Sequence, residues 1–376
     1  MRVLHVYKSY YPDSVGGIEQ VIAQLGMGLA ALGHENRVFT LSADPEPPVL
    51  ERPEGQVHRS RVTAEIASNP VSFAALPEFR RQIRWADVVH YQFPWPFADL
   101  LHLLWSGGKP TIVTYQSDIV RQKILLRAYT PLMNHFLGSA DMVVATSPQY
   151  RDSSPVLARL KSKVRVIPNG VDESSYPRPD PDRVEYWRAK VGEGFFLFVG
   201  VLRYYKGLDT LLQAADGLRG QVVIAGSGPE AGALQESAAA RRLDNVRFLG
   251  AVGDQDKMCL MQLARGFVFP SDLRSEAFGM SLLEAAMSAR PMITCEIGTG
   301  TSYVNVDGVT GRTVPPRDPA ALRDAMHGFL DEPHRALEMG AAARLRFLQL
   351  FTARAMARAY DEAYRDVMAA GAAVVP

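Results

Sequence analysis

Cysteine is scarce in this sequence, with only Cys259 and Cys295 among 376 residues. Neither lies in a paired metal or redox spacing, which excludes a disulfide framework and favours a reducing compartment. Long apolar runs are also lacking: no stretch approaches about 18 consecutive apolar residues, and residues 1–12 lack the apolar core of a signal peptide. We therefore expect a cytoplasmic protein.

A strong net charge is lacking as well. The formal charge of +1 argues against a nucleic-acid partner, and 47% hydrophobic residues with nearly balanced charges are typical of a two-domain globular enzyme. Charge is nevertheless uneven, because residues 80–165 carry 12 basic and 5 acidic side chains. Within this region, 121–138 interleaves basic with apolar residues, which predicts either a helix on an anionic membrane surface or a core helix with solvated arginines.

Short β-branched runs alternate with helical patterns, which predicts β-α-β units and parallel sheets. One series of runs falls within 1–170 and a second within 195–351, whereas 171–194 carries the prolines, acids and small residues of a hinge or linker. Two α/β domains facing each other across a cleft are expected, with ligands beyond the carboxyl ends of the strands. The predicted strands are 3–7, 38–41, 86–91, 111–115, 142–146, 164–168, 195–200, 221–226, 245–250, 266–270 and 291–295.

Glycines mark two turns after predicted strands. Gly16 and Gly17 precede a helix, where glycine admits close approach of the backbone and the helix start attracts an anion; a plain strand-to-helix turn is the alternative. The second turn, Gly226-Ser227-Gly228, has G-x-G-x-x-x-G spacing and matches a hydride-transfer fingerprint poorly.

Cations follow another strand, which ends at Gly200. Arg203 and Lys206 stand three residues apart in the next loop, where they can neutralise a diphosphate; solvated surface charge is the alternative.

Acidic pairs that could mimic a metal motif have simpler explanations. Asp180 and Asp182 lie in the proline-rich linker segment, and Asp254 and Asp256 fit the cap and first turn of a helix. We predict no metal site.

Two further acids, Glu276 and Glu284, flank Gly279 in the stretch "EAFGMSLLE". Glu284 falls within an apolar helical run and could simply be a solvated helix residue. Glu276 lies outside that run, in a loop, which favours a functional role.

Taken together, these loops resemble those of the retaining GT-B glycosyltransferases of family four. The likeness spans nearly the whole chain, and its most specific part is the E-x7-E motif of Glu276 and Glu284. The opening "HVYKSYYPDSVGGIEQVI" and the loop "LRYYKG" look most like bacterial mannosyl- and rhamnosyltransferases of surface-polysaccharide assembly. The resemblance implies a GT-B fold of two Rossmann-like domains, with the helix at about 352–370 packed back on the first. The hinge and lysine-loop sequences that also carry it are "VIPNGVD" (166–172) and "VGVLRYYKG" (199–207).

The resemblance also implies roles for residues. Glu276 would hold hydroxyls of the donor sugar and Glu284 those of the ribose, while Arg203, Lys206 and the helix start after Gly279 would stabilise the departing diphosphate. The other donor-binding residues that it implies are Gly16, Gly17, Gly200, Gly226, Ser227, Gly228, Phe278, Met280, Ser281 and Leu282. The acceptor-binding residues that it implies are Glu19, Arg121 and Lys123.

One position departs from the family pattern. Where many relatives carry a histidine after the strand 111–115, this chain has Gln116, followed closely by Asp118. Glutamine can hydrogen-bond a sugar hydroxyl but cannot carry a proton at neutral pH. Asp118 is expected either to bind sugar hydroxyls or to cap the next helix.

The implied activity is the retaining transfer of a hexose, D-rhamnose or D-mannose, from a GDP-sugar to an undecaprenyl-diphosphate-linked glycan in lipopolysaccharide (O-antigen) biosynthesis. No cofactor or metal is expected, and the basic first domain would hold the acceptor at the inner face of the cytoplasmic membrane. The alternatives are a UDP-sugar-dependent transferase of the same fold, a nucleotide-sugar epimerase, and a low-activity nucleotide-sugar-binding subunit.

Overall fold

The computed structural model describes residues 1–66, 69–119 and 123–372. The chain divides into two compact units, one of Met1–Gly170 with the residues from Ala353 onward and one of Val171–Thr352.

The first unit is an α/β layer structure. Its strands are β1 (Arg2–Val6), β2 (Glu35–Ser42), β3 (Val49–Arg52), β4 (Gly55–Arg61), β5 (Ala64–Ile66), β6 (Asn69–Val71), β7 (Val88–Phe93), β8 (Thr111–Tyr115), β9 (Met142–Ala145) and β10 (Val164–Val166). Its helices are α1 (Gly17–Ala31), α2 (Leu76–Trp85), α3 (Pro96–Trp105), α4 (Lys123–Ser139), α5 (Pro148–Ser153), α6 (Pro155–Arg159) and the C-terminal α15 (Ala353–Ala372).

Its main sheet has the strand order β10-β9-β8-β7-β1-β2-β4-β3 among the described residues. All neighbours are parallel except β3, which runs antiparallel to β4 at the edge. The order therefore reverses between β1 and β7. The helix α15 packs on α1, where a Cβ at Gly28 would lie 2.6 Å from the Cβ of Ala357, so only glycine lets the helices approach this closely.

The second unit repeats the design. Its strands are β11 (Phe196–Val199), β12 (Val222–Ala225), β13 (Val246–Gly250), β14 (Gly266–Phe269), β15 (Met292–Cys295) and β16 (Gly311–Val314). Its helices are α7 (Pro181–Val191), α8 (Leu208–Ala215), α9 (Ala231–Ala240), α10 (Asp254–Leu263), α11 (Met280–Met287), α12 (Thr301–Val304), α13 (Pro319–Asp331) and α14 (Pro333–Leu350).

The second sheet is parallel between all described neighbours and has the order β13-β12-β11-β14-β15-β16. This is the doubly wound order of a dinucleotide-binding domain, and it reverses between β11 and β14. Strands β11, β12, β14 and β15 are almost entirely buried, as expected for a sheet covered on both faces.

The segment 171–194 is more ordered than its composition indicates. Helix α7 begins after Asp180, whose side chain accepts a hydrogen bond of 2.9 Å from the Arg183 amide. One face of α7 buries Val184, Trp187 and Val191 in the core of the second unit. The composition typical of a hinge or linker gave no indication of this helix, which forms because Asp180-Pro181 caps it and the apolar residues are spaced to bury one face.

Two other helices begin with the same arrangement. Ser147 accepts a hydrogen bond from the Tyr150 amide, and Asp318 accepts one from the Ala321 amide, each just before a proline at the first helical position. The prediction for Asp254 was wrong in detail, because Gly253 occupies the cap position and Asp254 begins α10.

Removing the Asp180 cap should destabilise the second unit. We expect Asp180→Ala to lower the free energy of unfolding by about 1 kcal/mol, because the Arg183 amide loses its acceptor. Urea denaturation measures the change. Glu185→Ala, on the exposed side of the same helix, is the matched control and should shift the value by less than about 0.5 kcal/mol. Equal losses in both variants would contradict the assignment of the cap.

Candidate functional site

The strand-order reversal in the second sheet brings two of the predicted residues together. Lys206 follows β11 and Glu276 follows β14, and the Lys206 Nζ lies 2.5 Å from the Glu276 Oε2 although 70 positions separate the residues. Both side chains are buried. Loops at the carboxyl ends of strands beside a reversal are where ligands bind in this class of sheet, so this pair marks the candidate site.

Aromatic rings surround the ammonium group. The Lys206 Nζ lies 4.4 Å from the centre of the Phe269 ring and 5.4 Å from that of Tyr205, and the Ser271 hydroxyl donates to Glu276 at 3.3 Å. Burial, followed by the Glu276 carboxylate, raises the pKa of the Tyr205 hydroxyl. The ring faces and the carboxylate keep the buried lysine charge favourable.

The glycines of two adjacent loops serve close packing. A Cβ at Gly226 would lie 1.9 Å from the backbone oxygen of Gly200, and one at Gly228 would lie 2.5 Å from that of Leu202. Gly226 also has a φ of 152°. The turn after β12 therefore needs its glycines to sit on the loop after β11, while the Ser227 side chain is exposed beside it. Contact of these residues with a donor stays a prediction.

Helix α11 starts beside Glu276. Gly279 precedes its first turn with a φ of 90°, a left-handed conformation that favours glycine. At the start of the helix, the side chains of Met280 and Ser281 are half-buried, whereas that of Leu282 is fully buried. Phe278 also points into the core, where its ring packs edge-on against Phe351 at 6.0 Å. Phe278 and Leu282 can thus reach a ligand only through their backbone groups.

Glu284 is not a solvated helix residue. It is 4% exposed, and its Oε1 accepts hydrogen bonds from the Lys257 ammonium at 2.7 Å and from the Tyr176 hydroxyl at 3.0 Å. Lys257 also pairs with Asp254 at 2.8 Å. Burial tends to lower the pKa of Lys257, but Glu284 and Asp254 outweigh it and the pKa is raised. Lys257 therefore stays charged and compensates the Glu284 carboxylate.

Sequence reasoning missed Lys257 and Tyr176. The available signal was weak: Lys257 is the single cation of helix α10, half of whose residues are polar, and Tyr176 lies in the proline-rich stretch before α7. Only the side-chain hydrogen bonds of the folded chain show their connection to Glu284.

Arg203 lies apart from the lysine and glutamate pair. It begins the same turn as Lys206, but its side chain is exposed and lines a cavity of about 290 Å³ together with Asp272 and Arg317. Asp272 and Arg317 form an ion pair of 2.7 Å at this cavity. A contact between Arg203 and a diphosphate stays a prediction.

In the first unit, the loop after β1 is held by Glu19. Helix α1 begins at Gly17 after Gly16, and the buried Glu19 accepts hydrogen bonds from the Ser9 hydroxyl at 3.0 Å and from Ser14 at 2.5 Å. The Glu19 carboxylate thereby closes its own loop, and an acceptor contact stays a prediction.

Gln116 and Asp118 follow β8 at the carboxyl edge of the first sheet. The Gln116 amide donates to the Gln92 Oε1 at 2.8 Å, and the Asp118 Oδ1 accepts from the Tyr115 hydroxyl at 3.0 Å and the Ser154 hydroxyl at 2.8 Å. Asp118 therefore ties this loop to the start of α6. Of the remaining candidates, Arg121 lies outside the described residues and Lys123 begins α4.

No group of three or more His, Cys, Asp or Glu residues in residues 1–66, 69–119 and 123–372 is arranged to hold a metal ion. No helix in the same ranges is both long and apolar enough to cross a bilayer.

Separating Lys257 from Glu284 should destabilise the second unit. We expect Lys257→Met to lower the free energy of unfolding by about 3 kcal/mol, because it leaves a buried carboxylate uncompensated. Adding Glu284→Gln should recover a large part of the loss. Urea denaturation of both single variants and the double variant gives the coupling, with Lys190→Met, on α7, as an exposed lysine control. Strictly additive losses would contradict a direct charge pair.

Comparison with known proteins agrees with this architecture. The model "Glycosyltransferase Family 4" matches residues 15–175, and "Glycosyl transferases group 1" matches residues 184–346. The D-rhamnosyltransferase WbpZ of Pseudomonas aeruginosa is 53% identical over 94% of this chain and 93% of its own. The O-antigen chain mannosyltransferase C of Escherichia coli is 48% identical over 98% and 99%.

Among solved structures, Anabaena HepE in complex with UDP and glucose superposes with a TM-score of 0.79 at 18% identity, covering 97% of this chain and 100% of HepE. The predicted GT-B architecture is confirmed by this likeness. The chain therefore belongs to the family 4 glycosyltransferases and is a hexosyltransferase with the GT-B fold.

Proposed function

We propose that this enzyme transfers D-rhamnose or D-mannose, with retention of configuration, from a GDP-sugar to an undecaprenyl-diphosphate-linked glycan of the O-antigen. The names of the two relatives at 53% and 48% identity support a hexose of this class and an O-antigen product. The structural observation that carries the proposal is the buried pair of Lys206 and Glu276 at the strand-order reversal. The second unit would bind the donor and the first unit the acceptor.

The pair combines the two kinds of group that a nucleotide sugar requires. A carboxylate such as Glu276 accepts hydrogen bonds from sugar hydroxyls, and an ammonium group such as Lys206 binds phosphate oxygens. Lys206 has three N–H donors and uses one toward Glu276, so the same group can also reach a phosphate. Glu284, held by Lys257 and Tyr176, would accept the ribose hydroxyls.

Departure of the nucleoside diphosphate develops negative charge. Lys206 and the start of α11 would stabilise that charge without requiring a metal ion. Arg203 would contribute if its exposed side chain moves toward the phosphates. Attack by the acceptor on the same face of the sugar, with the leaving phosphate taking the proton, would retain the configuration. Gln116 fits this route, because a glutamine positions hydroxyls but takes no proton.

The surface of the first unit supports the proposal that the acceptor is lipid-linked. Leu100, Leu103 and Leu104 lie on one face of α3 and are 39%, 48% and 52% exposed, and Leu125 on the neighbouring α4 is 52% exposed. The exposed Arg127 follows on α4. Exposed leucines beside basic residues are what a peripheral protein presents to an anionic membrane, so we propose docking on the inner face of the cytoplasmic membrane.

Nucleotide binding tests the donor site. In a thermal-shift titration without added metal, GDP should raise the melting temperature, because a ligand that binds only the folded chain stabilises it. The increase should be larger with GDP than with UDP or ADP if the donor is a GDP-sugar. Lys206→Ala should abolish the GDP-dependent shift. The variant's own melting temperature will also fall, since Glu276 loses its partner, so the measured quantity is the shift caused by GDP.

Lys190→Ala, an exposed lysine of the same unit, is the matched control and should retain the GDP shift. A larger shift with UDP would replace the GDP-hexose assignment by a UDP-sugar. The donor site itself would be refuted by the absence of a shift with all three nucleotides.

Vesicle binding tests the membrane surface. Leu103→Ser/Leu104→Ser should lower the fraction that sediments with phosphatidylethanolamine–phosphatidylglycerol vesicles by about tenfold, because two apolar side chains no longer enter the interface. Leu345→Ser/Leu348→Ser removes leucines that are 61% and 48% exposed on α14 of the other unit and is the control. Equal binding of both double variants would refute docking through α3.

A further inference from the structure

Within the first unit, a buried chain of hydrogen bonds begins at Gln116, at the carboxyl edge of the sheet. The Gln116 amide donates to the Gln92 Oε1 at 2.8 Å, and the Gln92 amide lies 3.4 Å from the His90 Nε2. His90 and Gln92 belong to β7, whereas Gln116 follows the adjacent strand β8. The exposed fractions of His90, Gln92 and Gln116 are 0%, 1% and 6%, so water cannot replace these contacts readily.

Helix α15 and β8 complete the chain around His90. The His90 Nδ1 lies 2.8 Å from the Tyr364 hydroxyl, and its Nε2 lies 2.7 Å from the Thr114 hydroxyl. Thr114 in turn is 2.6 Å from the Tyr360 hydroxyl. Every polar atom of the imidazole ring therefore has a partner within the described residues.

His90 is neutral in these surroundings. Burial, followed by the nearby His5, holds the pKa of His90 well below its usual value. A neutral imidazole has one donor and one acceptor nitrogen. The Gln92 amide nitrogen can only donate, so its contact makes Nε2 the acceptor nitrogen and leaves Nδ1–H to donate to the Tyr364 hydroxyl. The single lone pair of Nε2 is shared between the Thr114 hydroxyl at 2.7 Å and the Gln92 amide at 3.4 Å.

The direction of these bonds decides which atom Gln116 presents. Because Gln92 points its amide nitrogen at His90, its oxygen faces Gln116 and takes an N–H from that side chain. The Gln116 Oε1 then points away from Gln92, and it has no hydrogen-bond partner among the described residues. A carbonyl oxygen at the carboxyl edge of a parallel sheet is well placed to accept a hydrogen bond from a ligand.

We propose that Gln92 is a positioning residue of the transferase: held by His90, it turns the Gln116 carboxamide so that its Oε1 accepts a hydrogen bond from a hydroxyl of a sugar substrate. This inference rests on the proposed hexosyl transfer. Gln92 touches no substrate and acts only through Gln116. The hydroxyl can belong to the donor or to the acceptor glycan, and the KM values of the Gln92 and Gln116 variants for the two substrates distinguish these sources.

A double-mutant cycle on the full chain tests the proposal. Gln92→Met and Gln116→Met should each lower kcat/KM about tenfold, the value of one hydrogen bond, and the double variant should be no slower than Gln116→Met within about twofold. Both single variants should raise the same KM. A change in the KM for the GDP-hexose assigns the hydroxyl to the donor, and a change in the KM for the acceptor glycan assigns it to the acceptor.

Two further variants separate positioning from stability. Gln92→Glu keeps an oxygen that accepts the Gln116 N–H, so it should be more active than Gln92→Met although its buried charge lowers the melting temperature. Gln82→Met removes another buried glutamine of this unit, one that hydrogen-bonds His58 and Glu78. It should lower the melting temperature and leave kcat/KM unchanged.

Three results would overturn the inference. The first is a kcat/KM of Gln92→Met within about twofold of the parent. The second is a loss of kcat/KM that multiplies to about 100-fold in the double variant. The third is an activity that follows the melting temperature across Gln92→Met, Gln92→Glu and Gln82→Met. A parent enzyme that transfers no hexose from any GDP- or UDP-sugar would instead refute the proposed function itself.

Discussion

The reversal of strand order among the parallel strands of the second sheet is the constraint on which the candidate site depends. Parallel strands all end at the same edge of a sheet, and the connections on either side of the reversal leave in opposite directions, which opens a crevice there. In the second sheet the reversal lies between β11 and β14, so the loops carrying Lys206 and Glu276 meet. In the first sheet it lies between β1 and β7, where the His5 and His90 rings are 5.3 Å apart.

Buried charge at the site is paired, and this pairing allows both carboxylates of the E-x7-E motif to be buried. Glu276 is matched by Lys206 and Glu284 by Lys257, so each carboxylate of the motif has its own lysine. An unpaired carboxylate would be too unfavourable at this depth. The pairs also fix the orientation of both carboxylates, as the proposed binding of hydroxyl groups requires. Around them, Gly226 and Gly228 let the loops after β11 and β12 pack into contact.

The strands were predicted best where burial is on both faces. Every β-branched run from 3–7 to 291–295 overlaps a strand of the structure. The reason is that a central parallel strand is buried on both faces and therefore consists of a nearly continuous run of apolar residues. Strand β4 was missed, since it carries His58 and Arg59. Arg59 is nevertheless buried, with its guanidinium 2.7 Å from Asp13, and no periodicity indicates a partner 46 positions away. Helix α7 was missed because its prolines and acids are equally typical of a linker.

The sequence by itself determined the fold class, the repeated α/β series and the residue types of the site, because these follow from local patterns of burial, caps and spacing. It singled out Lys206, Glu276 and Glu284 as candidates one by one, and the family resemblance added Gln116. Tertiary structure decided which of them meet and in what state: Lys206 lies against Glu276, Lys257 compensates Glu284, and His90 sets the direction of Gln92 and Gln116. The physical reason is that the pairing of charges and hydrogen bonds depends on distances between strands and helices far apart in the chain.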